Sequence, residues 1–160
     1  MQIALNPAAP SDQPLVARML RECREELART CGDDAGEADA LAAMLADYWG
    51  RPGRHALLIY VDGGVAGFAL IERRCCEEEA HYRVAGFYVA RSCRRRGLGR
   101  AAAEAVFARF PGYWEVATIA VNVPATAFWR GVIDRYTDGC YSERWLHEGS
   151  AHWIIQLFQV

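Results

Sequence analysis

The chain has 160 residues, 52% hydrophobic and 24% charged, and all 18 of its basic Lys/Arg side chains are arginine. That length suits a single domain with a real core. The formal net charge of -2 excludes a general cationic field for nucleic acid or anionic membranes. The missing lysine also excludes a P-loop and any Schiff-base mechanism. Apolar runs such as Ala56 to Val61 fall far short of the roughly 18 residues that cross a bilayer. The N-terminus shows no basic region followed by an apolar stretch, so the expectation is a cytoplasmic protein with no membrane partner. The six cysteines (Cys23, Cys31, Cys75, Cys76, Cys93 and Cys140) read as free thiols in a reducing compartment. No Cys-x-x-Cys or paired-His spacing predicts a metal site.

In chain order, Gln2 to Leu5 is a short first segment. Ser11 is then placed to cap a helix in which Leu15, Val16, Met19, Leu20, Cys23 and Leu27 repeat at helical spacing. The Cys31 to Gly36 cluster ends it. A second helix is predicted through Leu41, Met44, Leu45, Tyr48 and Trp49, stopped by Gly50, Pro52 and Gly53. His55 to Val61 and Val65 to Ile71 read as strands joined by a tight Asp62-Gly63-Gly64 turn. Ala80 to Val89 follows the acidic Glu77-Glu78-Glu79 turn as a third strand of this meander.

From Gly97 to Phe110 the pattern is helical, and Trp114 to Val121 is an apolar strand, which makes a strand, helix, strand crossover with parallel pairing. A helix follows with Ala125, Phe128, Trp129, Val132 and Ile133 on one face and Pro124 in its first turn. Strands near Tyr141 to Leu146 and His152 to Phe158 finish the chain. The order predicts one α/β domain over residues 1 to 160, a mixed and mostly antiparallel sheet flanked by helices. The apolar last strand, Trp153 to Phe158, reads as an edge on which a homodimer could pair.

The chemistry concentrates in Val89 to Arg100, which links a strand end to a helix start. Gly97 and Gly99 allow close backbone approach, the first helical N–H groups point outward, and Arg94, Arg95, Arg96 and Arg100 add permanent charge. A pyrophosphate fits this chemistry. The letters Gly97-x-Gly99-x-x-Ala102 also match a dinucleotide fingerprint. That motif belongs directly after the first strand of a βαβ unit, and here a meander precedes it.

Arg94, Gly97 and Gly99 reproduce the Arg-x-x-Gly-x-Gly pyrophosphate loop of the GNAT superfamily of acyl-CoA-dependent N-acetyltransferases, which this sequence resembles. The resemblance extends through Phe87, Tyr88 and Val89 before the loop, Leu98 within it, and Asn122-x-x-Ala125-x-x-Phe128-Trp129 farther on. It also takes in Tyr48-Trp49, Phe128-Trp129-Arg130 and Tyr136-Thr137, which are similar to a bacterial subgroup of predicted acetyltransferases. What it implies is a sheet with splayed central strands and a slot for acetyl-CoA. Backbone N–H groups from Arg95 to Arg100 would hold the pyrophosphate, and main-chain groups of Phe87 and Val89 would pair with pantetheine. Asn122 would lie beside the arm, with the helix that carries Phe128 and Trp129 flanking it.

The implied reaction is direct attack of an amine on the thioester, with the Phe87 N–H as oxyanion donor. Trp129 occupies the position where relatives often have a tyrosine acid, and an indole N–H is no proton donor at that acidity. Tyr136, Tyr141 or Cys140 can take its place, with Tyr136 and Tyr141 carried forward as the catalytic candidates. Arg83 and Gly86 stand where relatives often place a carboxylate. His81, Glu72 and Glu115 remain as bases acting through water. Tyr48 and Trp49 read as core or as walls of an acceptor pocket. The rival functions are a non-catalytic acyl-CoA sensor and an RNA-binding module built on the arginine-rich loop.

Overall fold

The computed structural model describes residues 1–32, 36–74 and 81–160. Among them the elements are β1 (Ile3–Pro7), α1 (Gln13–Cys31), α2 (Gly36–Ala43), β2 (Arg54–Val61), β3 (Gly64–Arg74), β4 (His81–Val89), α3 (Leu98–Arg109), β5 (Tyr113–Ile119), α4 (Val123–Thr137), β6 (Tyr141–Glu148) and β7 (Ala151–Gln159). The predicted Glu77-Glu78-Glu79 turn and Cys75-Cys76 lie outside the described residues. Cys23, Cys93 and Cys140 are free thiols, as expected. Burial first, and then the Glu26 carboxylate, push the Cys23 thiol up to about 11, which leaves it un-ionised and inert.

Seven strands form one sheet in the order β1-β2-β3-β4-β5-β7-β6. All neighbours are antiparallel except β4 and β5. The β2 to β3 turn places Val61 opposite Gly64, with Asp62 at φ 49 and Gly63 at φ 83. Two successive positive φ values define the two-residue turn whose twist matches the flanking strands. One face of the sheet is covered by α1 and the Leu45–Trp49 3-10 turn, where Val16, Met19, Leu20, Leu45 and Tyr48 pack on Leu58, Phe68 and Leu70. The other is covered by α3 and α4. Phe107 of α3 lies at the centre of that second core, its ring 4.9 Å from Phe158, 5.0 Å from Trp114 and 5.5 Å from Tyr136.

Three expectations change. Ser11 does not cap α1; it lies inside a 3-10 turn, Pro10–Asp12, and Asp12 Oδ2 accepts from the Ala9 N–H at 2.7 Å. The predicted second helix is two pieces, because α2 ends at Ala43 and a 3-10 turn resumes at Leu45. This break turns Tyr48 down onto the sheet. Finally, β7 is an interior strand that pairs with β5 on one side and β6 on the other, so the edge is β6 and not the apolar Trp153 to Phe158 segment. An apolar run is better satisfied by two strand neighbours than by solvent.

Candidate active site

The parallel strands β4 and β5 pair only at His81↔Tyr113, Tyr82↔Trp114 and Arg83↔Glu115. Beyond that point they separate, while β4 stays bonded to β3 up to Gly67↔Val89. The sheet therefore opens a wedge whose vertex is Arg83 and Glu115. Its β4 wall, Val84 to Val89, offers backbone groups to a ligand in place of a strand. A bulge shapes that wall: Leu70 faces Gly86 and Ile71 faces Val84, which leaves Ala85 as the extra residue. Gly86 is explained by α2, since a Cβ there would stand 3.0 Å from Leu41 Cδ2. A carboxylate at this position would have to push aside the Leu41, Phe68 and Leu70 side chains.

The Arg-rich loop lies at the wide end of the wedge. Arg95 at φ 70 and Gly97 at φ 73 both take left-handed conformations, which curl the backbone ahead of α3. Gly97 is the N-cap and carries no side chain, so the first N–H groups of α3 have no side-chain acceptor there. Positive φ at a non-glycine residue is uncommon, and its presence beside an open helix start suits an anion cradle.

The four arginines divide. Arg95, Arg96 and Arg100 are exposed. Arg94 turns inward, where its Nε donates to the Val89 carbonyl at 2.7 Å and an Nη donates to Glu26 at 2.9 Å. It braces the loop against β4 and α1. Leu98 is buried beneath the loop with Ile59, Ala66, Val89 and Ala102. Gly99 admits an aromatic ring, as a Cβ would lie 3.2 Å from Phe128 Cε2.

Asn122 caps α4, its side-chain oxygen accepting from the Ala125 N–H at 3.3 Å. The cap starts the helix that carries Phe128 and Trp129 back across the wedge. Phe128 stacks on Phe87 at 6.0 Å, and Trp129 meets Phe87 edge-on at 5.2 Å while remaining 8% exposed. Trp129 is thus part of the core between α4 and the sheet. Tyr88 points to the opposite face, its hydroxyl donating to Glu22 at 3.1 Å. Burial raises the Tyr136 phenol, with Glu104 adding to the shift, so Tyr136 holds its proton at neutral pH. Tyr141 opens β6 in the register row Trp114, Phe158, Tyr141. Both tyrosines pack against the core beneath α3 and α4.

On the α1 side of the vertex lies a polar cluster that the sequence reading did not assemble. Glu72 accepts from the Tyr48 hydroxyl at 2.7 Å and pairs with Arg54 at 3.3 Å and Arg83 at 3.2 Å. His81 Nε2 stands 3.6 Å from Glu115, a carboxylate only 7% exposed. Tyr48 is core: burial and the Glu72 hydrogen bond push the Tyr48 phenol far above its ordinary range. Trp49 is also held structurally, its indole N–H donating to the Ala8 carbonyl at 3.0 Å. The signal in the sequence was slight, because Arg54, Glu72, Arg83 and Glu115 are brought together only by strand register and Tyr48 only by the packing of its turn on the sheet.

Among the described residues, no group of three or more His, Cys, Asp or Glu side chains is arranged to hold a metal ion. No described helix is long and apolar enough to cross a membrane.

The acetyltransferase (GNAT) family model matches residues 16–132. The chain belongs to this family. Its fold is similar to an acetyltransferase from Thermus thermophilus (TM-score 0.69, 19% identity, covering 100% of this chain and 98% of that one). It is also similar to a GNAT-family acetyltransferase from Streptococcus agalactiae (0.76, 13%, 99% and 95%). A third likeness is the ribosomal-protein-S18-alanine N-acetyltransferase from Escherichia coli (0.65, 15%, 99% and 94%). No curated protein matches by sequence.

Proposed function

We propose that this protein transfers an acetyl group from acetyl-CoA to a primary amine of a small molecule or peptide by direct attack on the thioester. The observation that carries this reading is the end of β4 to β5 pairing at Arg83↔Glu115, with the Arg95 to Arg100 cradle at the wide end of the wedge. From Val89 back to Arg83 the β4 wall runs about 20 Å at about 3.3 Å per residue, a span suited to an extended pantetheine arm. The pyrophosphate sits on the first N–H groups of α3 with Arg95, Arg96 and Arg100 around it. Phe87 and Val89 supply main-chain pairing, and Asn122, Phe128 and Trp129 flank the arm from α4.

This geometry holds the thioester near the vertex, where positioning and a backbone donor such as the Phe87 N–H lower the barrier. The amine nitrogen bonds to the acetyl carbon, the carbon–sulfur bond breaks, nitrogen loses one proton and the departing thiolate gains one. Tyr136 or Tyr141 is the proposed donor to sulfur, and the raised Tyr136 phenol is protonated at neutral pH.

The test is calorimetric titration with acetyl-CoA, followed by thiol release measured over a panel of amines. Binding with amine-dependent release supports the reading. Tight binding with no release on any amine makes the chain an acyl-CoA sensor, and no binding removes the cradle assignment.

A further inference from the structure

The strand β6 ends the sheet, with β7 on one side and no described strand on the other. It runs for eight residues without a proline or a register shift, whereas the opposite edge, β1, has five residues and ends at Pro7. Its second half breaks the usual alternation of covered and uncovered side chains. Arg144, Trp145, Leu146, His147 and Glu148 are all exposed, Trp145 at 57% and Leu146 at 44%. The apolar surface continues past the strand, since Trp145 shares one hollow with Ile119, Val121 and Ala151. Glu143 is taken by Arg130 of α4. Arg144 and Glu148 make no ion pair among the described residues.

The turn to β7 decides which backbone groups are free. Gly149 at φ 61 opens a two-residue turn between Glu148 and Ala151, and the pair that flanks such a turn is hydrogen-bonded. Glu148, Leu146 and Arg144 therefore direct N–H and C=O toward β7, while His147 and Trp145 aim theirs outward. A strand joining this edge must set outward-facing residues against outward-facing ones. For an antiparallel second copy of β6, the two-fold axis then falls on a residue.

Few such axes cover the exposed stretch, and charge separates them. An axis at Glu143 opposes two carboxylates, and one at Arg144 opposes two guanidinium groups. At Trp145, Arg144 meets Leu146 and Glu148 meets Ser142; at His147, Leu146 meets Glu148. With the axis at Leu146, Leu146 meets its own copy, Trp145 meets His147 twice and Arg144 meets Glu148 twice. Opposite charges directly across a ladder stabilise it, and like charges destabilise it. Charges on an edge normally repel a second copy, but here opposite signs stand the same distance either side of one apolar residue.

We propose that the exposed edge of β6 pairs with a second copy of this chain, antiparallel about a two-fold axis at Leu146, with Arg144 of each copy against Glu148 of the other. The two sheets become one continuous sheet, and Trp145 and Leu146 are covered. This interface stands apart from the acetyl-transfer reading and does not depend on it.

The test is sedimentation velocity on the full chain from about 1 to 100 µM. A reversible dimer is expected. Arg144→Glu and Glu148→Arg each set two like-charge pairs across the axis and are each expected to weaken the dimer about tenfold, while the variant carrying both changes regains the wild-type affinity. Under mild oxidation Leu146→Cys is expected to link the two copies faster than wild type, whose own thiols set the background, and faster than Trp145→Cys. All four positions are exposed, and circular dichroism checks that each variant folds. A monomer at about 100 µM, a dimer indifferent to both single reversals, a double variant no tighter than the singles, or Trp145→Cys linking as fast as Leu146→Cys overturns the proposal.

Discussion

The Arg94 guanidinium donates to the Glu26 carboxylate at 2.9 Å and, through Nε, to the Val89 carbonyl at 2.7 Å, tying the loop to α1 and to the end of β4. The family's motif arginine therefore acts here as a brace, and the exposed Arg95, Arg96 and Arg100 are left to carry the charge of the proposed pyrophosphate cradle. Glu26→Ala removes the anchor from a residue outside the cradle. It should weaken acetyl-CoA binding about three- to tenfold and lower stability by no more than about 1 kcal/mol, since the pair is partly exposed. Calorimetry on Glu26→Ala, Arg94→Ala and the double variant reads the coupling, and strictly additive losses would show that the brace does not matter.

Gly99 and Gly97 fail differently when substituted. A Cβ at Gly99 meets the Phe128 ring at 3.2 Å, so Gly99→Glu should abolish acetyl-CoA binding with the far-ultraviolet circular dichroism spectrum intact. At Gly97 there is room, with Arg100 at 3.7 Å, but φ is 73. Gly97→Ala should cost about 1 kcal/mol in thermal unfolding through backbone strain alone.

Two strand glycines test the packing that shapes the wedge. At Gly67 a Cβ would fall 2.0 Å from the Tyr88 carbonyl oxygen, so Gly67→Ala should leave the chain largely insoluble or unfolded. Gly86→Asp should lower stability by about 1–3 kcal/mol by overpacking the Leu41, Phe68 and Leu70 side chains. A soluble Gly86→Asp variant with an unchanged melting temperature would contradict the placement of α2.

A pH dependence follows from Glu143 of β6, whose carboxyl is held below the ordinary range chiefly by its hydrogen bond from Arg130, with Gln156 helping. A lowered folded-state value means that its stabilisation is present above the unfolded carboxylate range, near pH 4.3, and is lost as pH falls through the folded value. The pair is partly exposed, so its share is below about 1 kcal/mol. Glu143→Gln should shrink the stability difference between pH 7 and pH 3. An identical difference in variant and wild type would refute the assignment.

The local geometry of the candidate site could be read from the sequence because its signals are local. Gly97, Gly99 and the arginines sit within a few residues of one helix start, and Asn122 caps α4 by accepting from an N–H only three residues on. The inward turn of Arg94 was not legible, since its partner Glu26 lies 68 residues away. The Glu72 and Glu115 cluster was likewise hidden, because residues on four strands and the Leu45–Trp49 turn become neighbours only once strand register is fixed. The same limit explains the last strand. Its apolar run looked alike as an edge or an interior strand, and only the pairing of β7 with both β5 and β6 decides between them.

The most direct measurement is a calorimetric titration of acetyl-CoA into wild type and Gly99→Glu, paired with thiol release over the amine panel. The account predicts saturable binding to wild type, none to Gly99→Glu, and acceptor-dependent release of CoA. Equal affinity in both proteins, or binding with no release on any acceptor, would contradict it.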